Sequence, residues 1–182
     1  MKKLYALALS AAFLFTGIAV HAQKDPMVGG AAMYPTKNIV QNAVNSKDHT
    51  TLVAAVKAAG LVSTLEGPGP FTVFAPTNEA FDKLPAGTVD TLLKPENKAK
   101  LTNILTYHVV PGRITTRDLR KMIKAGGGSA QLTTVEGGKL TVTMDHGKYM
   151  LTDDKGDMAT ITIPNVYQSN GVIQVINTVL LP

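Results

Sequence analysis

The chain has no cysteine among its 182 residues. Disulfides, thiolate metal sites, a cysteine nucleophile and lipidation of an N-terminal cysteine are therefore all excluded. Other catalytic signatures are missing too. There is no Gly-x-Ser-x-Gly elbow, no His-Glu-x-x-His helix and no phosphate loop ending in Gly-Lys-Ser/Thr. Charge of one sign is also scarce, with 18 basic against 13 acidic residues. Such a balance falls short of a nucleic-acid binder. No enzyme activity, no cofactor and no nucleic-acid partner are expected.

What is present begins with a leader. Lys2 and Lys3 precede an apolar run from Leu4 to Val20, and Val20-His21-Ala22 has the small-residue pattern of a cleavage site. This layout favours a secretory signal peptide at residues 1–22 over an uncleaved membrane anchor. Cleavage after Ala22 would remove two lysines and leave a net charge of +3. The remaining 160 residues suit one domain whose core needs no staples. No C-terminal anchor is visible after Leu181-Pro182, so the mature protein is expected to be exported without a stable membrane anchor, into the periplasm or to the cell surface and beyond.

Residues 23–36 are small, polar and Gly/Pro-containing, and read as a flexible arm on which no core depends. A domain at 37–182 follows. Ile39, Val40, Ala43 and Val44, then Leu52, Val53, Val56 and Ala59, recur at helical spacing, and Gly60 is placed to cap the second helix. In "FTVFAPTNEAF", Phe71 to Phe81, an apolar strand is stopped at Pro76 and a helix starts at once. Thr77 serves as N-cap, Glu79 favours the first turn, and Phe81 anchors the helix to the core. Phe74, Ala75, Pro76, Thr77, Asn78 and Phe81 thus form a structural corner.

Pro95 opens another helix with Leu101, Ile104 and Leu105 on one stripe, and "TYHVVPG" leads out of it into an extended segment. A further helix is expected with Thr116 as its cap. Beyond Gly126-Gly127-Gly128 the pattern changes to strict alternation at Leu140–Met144 and Ala159–Ile163, with turns between, and the apolar run from Gly171 to Leu181 reads as a central strand. Helices first and an antiparallel meander after predict an α+β domain.

His49 and His146 fall in turns, where solvated side chains are expected, and no histidine pair has metal-ligand spacing. Asp153, Asp154 and Asp157 lack the spacing of an EF-hand loop and read as a solvated acidic turn. The most unusual charge pattern is "RITTRDLRKMIK". Its apolar Leu119, Met122 and Ile123 share one helical side. Arg117, Lys121 and Lys124 occupy the opposite side, with Arg120 at their edge. This face is a candidate for an anionic polysaccharide or an acidic envelope protein, against the plainer reading of an ordinary soluble surface.

Three separated motifs, "FTVFAPTNEAF", "YHVVPG" and "NGVIQVINTVLLP", resemble the first box, the Tyr-His motif and the second box of the fasciclin domain family, in order and over about residues 39–182. The resemblance implies a wedge-shaped α+β domain with helices packed on an antiparallel sheet, acting in adhesion or protein interaction without a catalytic centre. It makes Asn170, Gly171, Val172 and Ile173 part of the structural motif, and Tyr107 and His108 candidate contact residues, although an inward stripe for His108 favours a structural role. Gln174 and Asn177 stand where family members often carry His and Asp. A single domain with one site can join two surfaces only by self-association, by a second site or by attachment to a larger partner. The alternative function is a periplasmic or extracellular receptor for a small ligand or glycan, which needs a concave pocket with convergent polar groups.

Overall fold

The computed structural model describes residues 25–182, so the leader expected at 1–22 lies outside the described residues. Short helices α1 (Ile39–Ala43), α2 (Thr50–Ala59) and α3 (Val62–Glu66) come first. Strand β1 (Phe71–Pro76) turns directly into α4 (Asn78–Asp82), and α5 (Thr88–Leu92) and α6 (Lys98–Tyr107) complete the helical layer. Strand β2 (Val109–Pro111), helix α7 (Thr116–Ala125) and a meander follow, made of β3 (Ser129–Thr133), β4 (Lys139–Asp145), β5 (Lys148–Thr152), β6 (Met158–Gln168) and β7 (Gly171–Ile176). The class is α+β.

The seven strands form one sheet in the order β2-β1-β7-β6-β5-β4-β3. The sheet is mixed: β7 runs parallel to β1, pairing Phe71 with Gly171 through Pro76 with Ile176, while the other pairs are antiparallel. All six residues of β7 are buried, as a strand covered on both faces requires. The sheet then curls on itself. Val135 N–H donates to the Val109 carbonyl at 2.7 Å, which brings the two edge regions together and leaves less open edge for stray pairing.

Curling divides the core in two. One cluster lies between the helices and the sheet and includes Leu52, Val56, Phe81, Leu101, Ile104 and Ile173. The other fills the curl with Phe74, Tyr107, Leu140, Val142, Leu151 and Ile176, and Leu119 and Ile123 of α7 close its end. Alternation along β1 and β7 is what feeds both clusters: Val73 and Ala75 face the first, Phe74 the second.

The expected arm at 23–36 is not independent of the core. Met27–Val28 pairs with Ala31–Ala32 in a small hairpin, and Val28 and Met33 are buried in the first cluster. The buried Asn42 side chain fixes the segment, accepting from Tyr34 N–H at 3.1 Å and donating to the Tyr34 carbonyl at 2.8 Å. Composition alone hides this, because two apolar residues among small polar ones carry no periodic signal.

Candidate functional site

The strand-to-helix corner at Ala75 to Asn78 is held from several directions. Thr77 Oγ1 accepts from Ala80 N–H at 3.3 Å and so caps α4. Asn78 caps a different helix: its Oδ1 accepts from Thr51 N–H at 3.0 Å and its Nδ2 donates to the Lys47 carbonyl at 2.9 Å. The residue at the start of α2, His49, gives no side-chain cap of its own, so Asn78 satisfies that helix end across the fold. Asn170, at the other end of the sheet, accepts from Ile39 N–H at 3.0 Å and donates to the Leu65 and Gly67 carbonyls at 2.7 and 3.0 Å. It joins the start of α1 to the end of α3. Beside it, a side chain at Gly171 would collide with the Phe71 carbonyl, so only glycine lets β7 approach β1 there.

Tyr107 and His108 are both buried, at 0% and 2% exposure, which removes them from any contact surface. The Tyr107 hydroxyl donates to the Lys139 carbonyl at 2.7 Å and accepts from Asp154 N–H at 3.3 Å. Burial, reinforced by the carboxylates of Asp154, Asp153 and Glu136, pushes its pKa up to about 12. His108 Nε2 accepts from Leu180 N–H at 3.1 Å, so the ring proton sits on Nδ1 and is donated to the Ile104 carbonyl at 2.8 Å. Burial holds this imidazole neutral, with its pKa lowered to about 4. The ring bolts the C-terminal tail to the end of α6.

Other polar expectations change in the same direction. His49 is buried instead of solvated, with Nδ1 2.8 Å from Ser46 Oγ and a pKa lowered by desolvation. Asp153 is buried too, because its carboxylate accepts from three backbone N–H groups, those of Lys155, Asp157 and Leu181, at 2.9–3.0 Å. No group of His, Cys, Asp or Glu suited to a metal ion occurs among the described residues. Gln174 is fully buried, accepting from Asn165 N–H at 2.9 Å and donating to the Ile114 carbonyl at 3.1 Å. Asn177 accepts from Thr160 N–H at 2.8 Å. Neither side chain is ionisable, and both are committed to backbone groups.

The surface candidate lies on α7. Its N-cap is Thr115, one residue before the expected Thr116, and Thr115 and Asp118 make a reciprocal capping box. Thr116 instead bonds to Asn165 through both its N–H and its hydroxyl, at 2.9 and 2.7 Å. Leu119 and Ile123 are buried, whereas Arg117, Arg120, Lys121 and Lys124 are all exposed. Asp118 Oδ2 accepts from the Thr115 N–H at 3.0 Å and hydroxyl at 2.7 Å, which ties the carboxylate to the helix cap, and its charge is felt by Lys121 and Arg117 without either coming into ion-pair contact. Those bonds are the main cause of its lowered pKa. Among the described residues the sole ion pair within 4.0 Å is His146 with Asp145, so none of the four cations makes a contact ion pair. Met122, expected on the apolar side with Leu119 and Ile123, is instead exposed, so two residues and not three anchor the helix.

The family follows from comparison with known proteins. A fasciclin domain profile matches residues 47–182. The chain belongs to the fasciclin domain family. Protein sll1483 of a Synechocystis species is 48% identical over 160 residues, covering 88% of this chain and 82% of that protein. The cell surface glycolipoprotein MPB83 of Mycobacterium bovis is 35% identical over 172 residues, covering 91% of this chain and 70% of that protein. Transforming growth factor-beta-induced protein ig-h3 of Sus scrofa is 39% identical over 131 residues, 72% of this chain but only 17% of ig-h3. A solved FAS1 domain pair from the insect cell adhesion molecule Fasciclin I superposes with a TM-score of 0.71 at 21% identity, covering 80% of this chain and 51% of that one. This fasciclin chain therefore carries a domain of the kind found in cell-surface and adhesion proteins. No helix among the described residues is long and apolar enough to cross a membrane.

Proposed function

We propose that the protein is an exported, non-catalytic interaction module that docks on anionic partners through the exposed face of α7. The observation that carries this reading is the set of four exposed cations, Arg117, Arg120, Lys121 and Lys124, none in a contact ion pair with a carboxylate among the described residues. A soluble helix face ordinarily mixes both signs, and i,i+4 pairs stabilise it. Here Lys121 follows Arg117 and Lys124 follows Arg120 at those spacings, like charge beside like charge. The helix tolerates this through its capping box and its two buried anchors. The partner class is an acidic polysaccharide or an acidic envelope protein, outside the cytoplasm, as the surface and adhesion relatives support.

The buried, fully bonded polar groups at the Tyr-His motif and the second box support a non-catalytic reading, since catalysis needs a group that can meet substrate. Adhesion between two surfaces further requires self-association or anchoring to a larger partner. Beads coated with the protein should be retained on immobilised dextran sulfate and pass over uncharged dextran. The variant Arg117→Glu with Lys121→Glu should lose most of that retention while keeping the parent circular-dichroism spectrum. Equal retention of both proteins would refute the assignment of this face.

A further inference from the structure

Between the N-terminal segment and the end of β6 lies an open cleft of about 750 Å³. Sites that hold small molecules commonly enclose roughly 300–1,000 Å³. Pro26 and Pro35 line this one from the N-terminal segment, and Pro164 and Tyr167 line it from β6. Both sides are fixed. Met33 N–H donates to the Pro26 carbonyl at 2.9 Å, and the Asn42 side chain holds the same segment at Tyr34. On β6 the register with β7 shifts between Ile163 and Val166, and Asn165 inside that shift has a φ of 56° and bonds to Thr116 and Gln174. Such an irregularity re-aims the side chains around it.

The cleft holds two opposite charges that do not pair. Arg113 and Asp25 both line it, yet they do not approach each other within 4.0 Å. Arg113 Nη2 donates to the Gln168 and Ser169 carbonyls at 3.1 and 3.3 Å, which fixes the guanidinium in place. The N–H groups on its Nε and Nη1 donate to no group among the described residues. Tyr167 is 39% exposed and presents an aromatic surface beside this charge. A ligand matched to this set needs one anionic group for Arg113, hydrogen-bond donors for Asp25 and a flat apolar face for Tyr167. A sugar that carries a carboxylate has all three, in its acid group, its hydroxyls and the C–H face of its ring. A densely sulfated sugar brings more negative charge against Asp25, and an acidic peptide lacks the flat hydroxylated ring.

We propose that this cleft holds one uronic acid unit of an acidic polysaccharide, with its carboxylate on Arg113 and its ring against Tyr167. The proposal rests on the reading of α7 as an anionic docking face and narrows the partner to a carboxylated sugar polymer. Arg113 and Arg117 are four residues apart in the chain. Their Cα atoms therefore lie within about 14 Å of each other, close enough for one polymer to meet the cleft and the helix together.

The test is calorimetric titration of the intact protein, at physiological salt, with digalacturonate, maltose and glutamyl-glutamate. Digalacturonate should bind. Maltose should bind at least about tenfold more weakly, the loss expected when one charge-assisted hydrogen bond is missing, and the dipeptide should also bind more weakly than the sugar acid. Arg113→Met and Tyr167→Ala should each weaken digalacturonate binding by a similar factor. Should Arg113→Met lose its fold, Tyr167→Ala decides the matter, because it removes only an exposed ring. The two readings stand or fall by different probes: Tyr167→Ala should keep full retention on dextran sulfate, and Arg117→Glu with Lys121→Glu should still bind digalacturonate. No binding of digalacturonate, equal binding of maltose or of the dipeptide, or full binding of digalacturonate by Tyr167→Ala would each overturn the proposal.

Discussion

Individual polar side chains in this protein mostly serve backbone groups that the fold would otherwise strand. His108 is the clearest instance, bonded at both nitrogens to main-chain atoms of α6 and the C-terminal tail. His108→Ala should destabilise by about 2–4 kcal/mol, because it opens a cavity and leaves a buried N–H and a buried carbonyl unpaired; urea denaturation measures this. Its pH dependence has a definite sign. The folded-state pKa is lowered to about 4 from 6.5, so the neutral ring is favoured by folding. The stability it contributes is fully present above pH 6.5 and is lost as the pH falls from 6.5 towards 4, by on the order of 3 kcal/mol. Unfolding free energies of the parent across that range should fall more steeply than those of His108→Gln, which carries no titrating ring. His49, whose pKa is lowered by the same desolvation, adds to the parent's slope in the same direction.

At the scale of elements, the corner from Ala75 to Asn78 does two jobs with two adjacent residues. Thr77 caps the helix that follows it, and Asn78 caps α2, 27 residues earlier in the chain. Thr77→Ala and Asn78→Ala should each cost about 1–2 kcal/mol, and hydrogen exchange should separate them: the first deprotects the Ala80 amide in α4, the second the Thr51 amide in α2. The strand stop at Pro76, the Thr77 cap and the central placement of β7 were legible in the sequence, because each is set by local chemistry or by an unbroken apolar run. Asn78 as a cap for α2 was not, since the pair is joined only by tertiary structure. The strands β3 and β5 were missed for a similar reason. Their alternation is short, and in Lys148–Thr152 it is carried by Tyr149 and Leu151 alone, with Met150 facing outward between them. The burial of Val28, Met33, His49 and Asp153 likewise depends on partners distant in sequence or on backbone donors that a residue pattern does not display.

For the whole molecule, the proposed binding face lies apart from the core. The buried titratable groups Tyr107, His108 and Asp153 are tied to main-chain atoms, while α7 closes one end of the curl with Leu119 and Ile123 and turns Arg117, Arg120, Lys121 and Lys124 outward. A patch built this way should act through long-range attraction, screened over about 8 Å at physiological ionic strength. The fold is that of a fasciclin domain, and the patch is read from the exposed cations of α7 themselves. The most direct measurement is the affinity of the protein for an anionic polysaccharide, such as dextran sulfate, at about 20 and 200 mM salt, for the parent and for Arg117→Glu with Lys121→Glu. Binding of the parent should weaken at least tenfold between the two salts, and the variant should bind at least tenfold more weakly than the parent at the lower one. Salt-independent binding by the parent, or equal binding by the two proteins at low salt, would contradict the account.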